Sequence, residues 1–247
     1  MTSTGKNSEL DVAVIGGGLV GTAVALGLAR LGRRVAVLDE GDNAVRASRG
    51  NFALVWVQGK GLGMPEYAVW SVASSNIWPE FAEGLAAETG LSVHHHRPGG
   101  LHICLTEEEL EGRRRLLARF HNQLGVADYK TEMIDRKRLE EMLPGLGPKV
   151  AGASYCALDG HVNSLQLYRA LLTALSLNGV RYMPGHRVDG VTRAGGLFSI
   201  KTARGEIRAA KVVLAAGNVN KTLAPMVGLH APMVPEMGQV LVTERTE

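Results

Sequence analysis

The chain has 247 residues, of which 45% are hydrophobic and 21% charged, with a formal net charge of +3. That length and apolar content suffice for one large domain or two small ones. A net charge so small gives no electrostatic reason to expect nucleic acid or an anionic membrane as the main partner, and no run of roughly 18 apolar residues offers a spanning helix.

The first nine residues, MTSTGKNSE, are polar and lack the charged start and apolar stretch of a secretory signal. They predict a cytoplasmic protein, or one peripheral to the inner face of the membrane. Residues 11–15 then read as a short strand of the kind buried in a parallel sheet. Gly16, Gly18 and Gly21 follow with GxGxxG spacing. Gly16 lets the chain turn sharply out of the strand, Gly18 lets a pyrophosphate approach the backbone, and Gly21 lets the next helix pack close to the sheet. The helix is predicted from Leu19 to Leu31, with Val20, Ala23, Val24, Leu28 and Leu31 as its inner face. Its first-turn N–H groups, at Leu19, Val20 and Gly21, and its dipole would hold phosphates. Gly32 closes it. A second strand, Val35–Leu38, ends at Asp39, 23 residues after Gly16, with Glu40 beside it. An acid there binds a ribose hydroxyl and repels a 2′-phosphate, so the spacing predicts FAD or NAD rather than NADP.

Residues 47–61, ASRGNFALVWVQGKG, follow the acid closely. This stretch resembles the glycine oxidase and D-amino-acid oxidase family of FAD-dependent oxidoreductases, and within it the β-subunit group of D-hydroxyproline dehydrogenase, opine oxidase and hydrogen cyanide synthase. The resemblance implies that Ser48, Arg49, Gly50 and Asn51 contact FAD. A hydroxyl, a guanidinium, a glycine and an amide suit that task.

Residues 64–90 predict a helix with Trp70, Ala73, Ile77, Phe81 and Leu85 at spacings of three and four, kinked or divided at Pro79. Trp56, Trp70 and Trp78 are expected in the core. The histidines of HHHRPGG (94–100) alternate faces on a strand, with no Cys or acid at ligand spacing, and no metal site is expected. Residues 101–105 read as a strand. Thr106 and Glu109 form a capping box for a helix with Leu110, Leu117, Phe120 and Leu124 inside, and the run Arg113-Arg114-Arg115 is read as its solvated face. Asp135 caps a short helix ending at Pro144. The two cysteines, Cys104 and Cys156, form no CxxC pair and read as buried thiols in a reducing compartment.

Residues 155–188 resemble the family's strand, turn, helix and strand. Asn163 or Ser164 caps the helix, Leu165, Tyr168, Leu172 and Leu175 form its stripe, and Asn178-Gly179 ends it. By resemblance the backbone of Val188 touches the adenine side of FAD. Residues 186–210 read as a β-meander turning at Gly195-Gly196 and Arg204-Gly205. KVVLAAGNVN (211–220) resembles the strand leading to a turn beside the cofactor, with Ala215, Ala216 and Gly217 as contacts. PEMGQVLVTE (235–244) resembles the crossing into the substrate domain.

The fold class expected is α/β: a Rossmann-like FAD-binding domain of the glutathione-reductase type, with an inserted, incomplete α+β substrate domain. Residues 1–90 and 151–225 are assigned to the first, and 91–150 and 226–247 to the second. Family members continue further, so a truncated or split form of a longer enzyme is expected. The resemblance implies transfer of hydride from the Cα of a small amino-acid-like substrate to FAD, with a partner subunit or a quinone as electron acceptor. A 2-hydroxy-acid or glycerol-phosphate dehydrogenase of the same fold, or a non-catalytic cofactor-binding or interaction fragment, are the alternatives. No catalytic acid or base is identified.

Overall fold

The computed structural model describes residues 10–41, 47–123, 130–241 and 244. In chain order the strands and helices are β1 (Leu10–Ile15), α1 (Leu19–Arg30), β2 (Val35–Leu38), β3 (Leu54–Val55), α2 (Pro65–Thr89), β4 (Gly100–Cys104), α3 (Glu107–His121), β5 (Thr131–Asp135), α4 (Arg136–Met142), β6 (Gly152–Cys156), β7 (Gly160–His161), α5 (Ser164–Leu177), β8 (Arg181–Met183), β9 (Val188–Ala194), β10 (Leu197–Thr202), β11 (Gly205–Leu214) and α6 (Asn220–Leu223). The chain forms two compact units: Met1–Asn51 with Leu85–Leu91 and Ser164–Glu247, and Phe52–Gly84 with Ser92–Asn163. This division differs from the expected boundaries. Residues 52–84 and 151–163 group with the 91–150 block, because β3 pairs with β7 and the Val57 and Gln58 amides bond to Asp159. Residues 226–247 fall in the first unit.

The first unit is built on a six-stranded sheet of order β8-β2-β1-β11-β10-β9. β1 pairs in parallel with β2 and β11, and β2 with β8; β9, β10 and β11 form an antiparallel meander. Buried on both faces, β1 from Val12 onward and all of β2 are aliphatic, with Ala13, Val14, Ala36, Val37 and Leu38 at 0% exposure; Asp11, at the start of β1, is half-buried and pairs with Arg34 (2.7 Å). The first meander turn falls at the predicted Gly195-Gly196; the second falls at Ala203-Arg204, one residue before the predicted Arg204-Gly205, because Gly205 already pairs with Thr202, and β11 runs on from the meander to pair with β1.

α1 ends as predicted. Gly32 has φ +74°, its N–H donates to the Ala29 carbonyl (2.8 Å), and the Arg33 N–H donates to the Leu28 carbonyl (3.1 Å). Its inner face differs: Gly21, Thr22, Ala25 and Leu26 are buried, whereas Val20 and Leu31 are 68% and 74% exposed and Ala23 is exposed. The cause is Gly21. A Cβ there would lie on the Gly16 carbonyl oxygen, so Gly21 must face the sheet, and its rotation brings residues 25 and 26 with it. α5 is turned in the same way. Tyr168, Leu171 and Leu175 are buried, but Leu165 is 58% exposed.

The second unit holds a three-stranded antiparallel sheet, β4-β6-β5, and the β3–β7 pair. The Glu109 N–H donates to Thr106 Oγ1 (3.1 Å), capping α3, and the Arg138 N–H donates to Asp135 Oδ1 (2.9 Å), capping α4. Both caps are legible in the sequence; Leu124 lies outside the described residues. α2 passes through Pro79 as one helix of 25 residues rather than two. Of the expected stripe Leu85 is buried and Phe81 half-buried, but Trp70 and Ile77 are 71% and 62% exposed and Ala73 is exposed; Ala68, Ser75 and Ala82 are buried in their place. Both cysteines are buried free thiols, and burial pushes both above the ordinary thiol value. His95 stacks on Trp78 at 5.8 Å, and His96 pairs with His161 across a bridge.

No described helix is long and apolar enough to cross a membrane. Residues 235–241, expected to cross into the substrate domain, form no strand. Met237 and Leu241 are 92% and 89% exposed, with no neighbouring strand among the described residues to supply hydrogen bonds.

Candidate functional site

The chain turns out of β1 at Gly16, whose φ is +105°. A side chain there would run into the Ala215 carbonyl and lie 2.8 Å from Ala216 Cα, so Gly16 serves both a left-handed turn and a close approach to the end of β11. The Ala215 N–H donates to the Ile15 carbonyl (2.8 Å), which ties the Ala215–Ala216 turn to the glycine elbow. Asn220, which no sequence motif singles out, supports that turn by accepting from the Ala216 N–H (3.1 Å).

Gly18 is the N-cap of α1 and has no side chain to cap it. Ser48 substitutes from 29 residues away: the Leu19 N–H donates to its Oγ (3.0 Å). Helix geometry leaves the N–H groups of Val20 and Gly21 without intrahelical acceptors. The Val20 side chain is exposed, so what it offers is its main chain. A Cβ on Gly18 would meet Ser48 Oγ at 2.6 Å and no backbone.

Asp39, 9% exposed, is fixed at the end of β2. Its Oδ2 accepts from the buried Gly17 N–H (2.7 Å) and its Oδ1 from the Gly41 N–H (2.8 Å). Each carboxylate oxygen keeps a lone pair for a further donor. Two small clefts share Asp39. One is lined by Gly16, Asp39, Glu40, Val188 and Ala216, the other by Gly17, Gly18, Ser48, Arg49 and Tyr168. Of the residues singled out from sequence, these clefts and the elbow bring together Gly16, Gly18, Leu19, Val20, Gly21, Asp39, Glu40, Ser48, Arg49, Val188, Ala215 and Ala216. Gly50, Asn51 and Gly217 line neither cleft. Gly50 and Gly217 are exposed, and the Asn51 amide donates to the Ala47 carbonyl (2.8 Å).

Periodicity places Tyr168 only in an apolar stripe, yet its hydroxyl has a second task. It donates to the Gly17 carbonyl (2.7 Å) and lies 3.3 Å from the Tyr182 hydroxyl, while the Arg49 guanidinium stands 5.4 Å over the Tyr168 ring. Tyr168 thus fixes the glycine loop and positions Arg49.

The second unit has its own polar core. The buried Asp159 carboxylate accepts from the Val57 and Gln58 amides and from Gln58 Nε2 (2.8 Å). Gln58 Oε1 accepts from Arg113 Nη2 (2.9 Å) and from the Ser154 hydroxyl (2.7 Å), and Arg113 Nε donates to Ser154 Oγ (2.9 Å). Burial pushes Asp159 above the usual carboxylate range and pulls Arg113 below its ordinary value. Arg113 is therefore not part of a solvated face. It falls on the stripe of Leu110, Leu117 and Phe120, a spacing that could have revealed it.

A parallel strand–glycine elbow–helix–strand unit with an acid at the second strand's end defines a dinucleotide-binding α/β protein. The residues fit an FAD: bare helix-terminal amides for its phosphates, a carboxylate for its ribose, and an approach kept clear of side chains at Gly18. Residues 11–247 match the model of the FAD dependent oxidoreductase family (DAO), and the chain belongs to that family. It is 45% identical over 239 residues to an opine oxidase subunit of Agrobacterium tumefaciens (strain Ach5), a match spanning 97% of this chain and 64% of that protein. It is 26% identical to hydrogen cyanide synthase subunit HcnC of Pseudomonas aeruginosa, over 97% of this chain and 65% of the relative. The crystal structure of glycine oxidase from Geobacillus kaustophilus superposes with a TM-score of 0.80 at 27% identity, covering 89% of this chain and 58% of that one. The chain thus spans somewhat less than two thirds of the length of these relatives.

Proposed function

We propose that the first unit holds FAD and that the chain is the cofactor-binding part of an oxidoreductase acting on the CH–NH bond of an amino-acid-like substrate, in a multi-subunit enzyme. The observation that carries the reading is the elbow. Gly16 and Gly21 let β1, α1 and the Ala215 turn close on one another, Gly18 presents no side chain of its own at the start of α1, and the two main-chain hydrogen bonds on Asp39 hold its carboxylate beside that turn. When bound, FAD supplies the two-electron acceptor for a substrate hydride. The chain's own residues bind and orient. The Val20 and Gly21 amides and the Ser48 hydroxyl face the phosphates, Asp39 accepts from the ribose hydroxyls, and Val188 borders the adenine side. Arg49, held over Tyr168, adds positive charge near the phosphates.

The likeness to opine oxidase and glycine oxidase supports an amine donor, and relatives named as subunits of opine oxidase and of hydrogen cyanide synthase support a place in a larger assembly. Electrons then pass to a partner subunit or a quinone. Titration of the purified chain with FAD, followed by quenching of flavin fluorescence, tests the reading. Saturable binding of FAD, with NADH failing to compete, is expected. No saturable binding, or displacement of FAD by NADH, would overturn it.

A further inference from the structure

A cavity of about 280 Å³ lies within the second unit, between the chain running from β3 and the first half of α2. Trp56, Tyr67, Trp70 and Trp78 line it, with Ser71, Ser75 and a few aliphatic neighbours, and no lining side chain is charged. These are all three tryptophans of the chain. Among the described residues, Trp56, Tyr67 and Trp70 make no ring–ring contact and no side-chain hydrogen bond, so their faces are not spent on one another. Half-exposed Tyr67 and largely exposed Trp70 stand one helical turn apart on α2.

We propose that this cavity binds an organic cation, of the alkylated ammonium or guanidinium class. The three uncommitted rings, Trp56, Tyr67 and Trp70, are electron-rich and attract a cation over their faces, most strongly where the ring is tryptophan; Trp78, stacked on His95, completes the wall. The serines point the same way. The Ser71 hydroxyl donates to the Tyr67 carbonyl (2.8 Å) and the Ser75 hydroxyl to the Leu158 carbonyl (2.7 Å). With both hydrogens committed, each oxygen presents lone pairs, which suit an N–H donor and repel an anion. A carboxylate or phosphate would find no cationic side chain in the lining. Within this unit α2 carries Glu66, Glu80 and Glu83 and no lysine or arginine; the cation packed on it, Arg97, is held by the Asn76 amide oxygen (3.1 Å) and the Leu158 carbonyl (3.2 Å) and does not line the cavity. The site is defined by the second unit alone and does not rest on the flavin reading.

Because every tryptophan lines the cavity, intrinsic fluorescence reports on it directly. The purified full chain is titrated with choline chloride and, separately, with 3,3-dimethylbutan-1-ol, its uncharged carbon isostere, against sodium chloride at equal ionic strength. Saturable change with choline, at least about fivefold tighter than with the alcohol, is expected. Trp70→Leu should weaken choline at least about fivefold while its thermal midpoint stays within about 4 °C of the parent's, since the removed ring is exposed. No saturable change with choline, an equal response to the alcohol, or unchanged choline affinity in Trp70→Leu would overturn the assignment. Flavin is not needed for the readout, so failure here leaves the cofactor reading standing.

Discussion

Two glycines three residues apart at the start of α1 should respond to the same substitution in opposite ways. At Gly21 an added methyl lies on the Gly16 carbonyl oxygen, 3.0 Å from its carbon and 3.3 Å from Ala215 Cβ. Two of those three atoms are the Gly16 backbone, held by the Gly16 N–H bond to the Leu38 carbonyl (2.8 Å) at the end of β1, and cannot swing aside. Overpacking of this kind costs about 1–3 kcal/mol or more, and the helix-propensity gain of alanine over glycine, about 1 kcal/mol, offsets only part of it. At the upper end, which a clash with backbone selects, the net loss of about 2 kcal/mol lowers the melting temperature of a chain this size by about 4–8 °C. At Gly18 the methyl meets only Ser48 Oγ, at 2.6 Å, and the φ of −74° suits any residue. Rotation of Ser48 relieves the contact and forfeits its cap on the Leu19 N–H, worth about 1 kcal/mol, or about 2–4 °C. On the proposed cofactor reading the methyl stands in the path of the pyrophosphate, so FAD should bind at least about tenfold more weakly, a loss of about 1.4 kcal/mol. Thermal melts of both variants without cofactor, and FAD titrations by fluorescence quenching, measure the two quantities separately. Gly18→Ala melting as low as Gly21→Ala, or binding FAD as tightly as the parent, would refute this account of the elbow.

The two remaining predictions concern the second unit. Arg113→Met should lose about 3–5 kcal/mol in urea denaturation, because Gln58 and Ser154 lose their cationic donor while Asp159 stays buried. Arg114→Ala, on the exposed face beside it, should stay within about 0.5 kcal/mol. The second is a pH effect: burial raises both Cys104 and Cys156 above the ordinary thiol value of 9.0, so the unfolded thiols ionise first. Their contribution to stability is complete below that value and is lost as pH rises through it toward the folded-state pKa values. Denaturation midpoints at pH 7 and pH 10 should therefore diverge less in Cys104→Ala/Cys156→Ala than in the parent, and equal divergence would count against burial as the cause.

Features dictated within a few residues could be read from the sequence. The Gly32 stop, the Thr106 and Asp135 caps and the first meander turn each depend on one residue's φ or one nearby side-chain oxygen, and the aliphatic runs of β1 and β2 announce burial on both faces. The cofactor elbow was legible for the same reason: glycine spacing and the acid that follows it express local backbone geometry. Rotation and long-range pairing were not legible. Hydrophobic periodicity gave α1, α2 and α5 their extents, but it could not say which face a helix turns inward. At α1 the contact between Gly21 and the Gly16 carbonyl decides that, and no property of the helix alone encodes it.

Tertiary structure alone assigned Tyr168 to the glycine loop, because its partner Gly17 is 151 residues away and nothing local distinguishes its hydroxyl from those of other tyrosines. It alone separated Arg113 from Arg114 and Arg115. A buried guanidinium is tolerated only where Gln58 and Ser154 are already placed to accept its hydrogens, and those residues come from other segments of the chain. Short-range sterics are written in consecutive residues, whereas desolvation depends on which distant atoms close over a group, and that is settled only when the chain has folded.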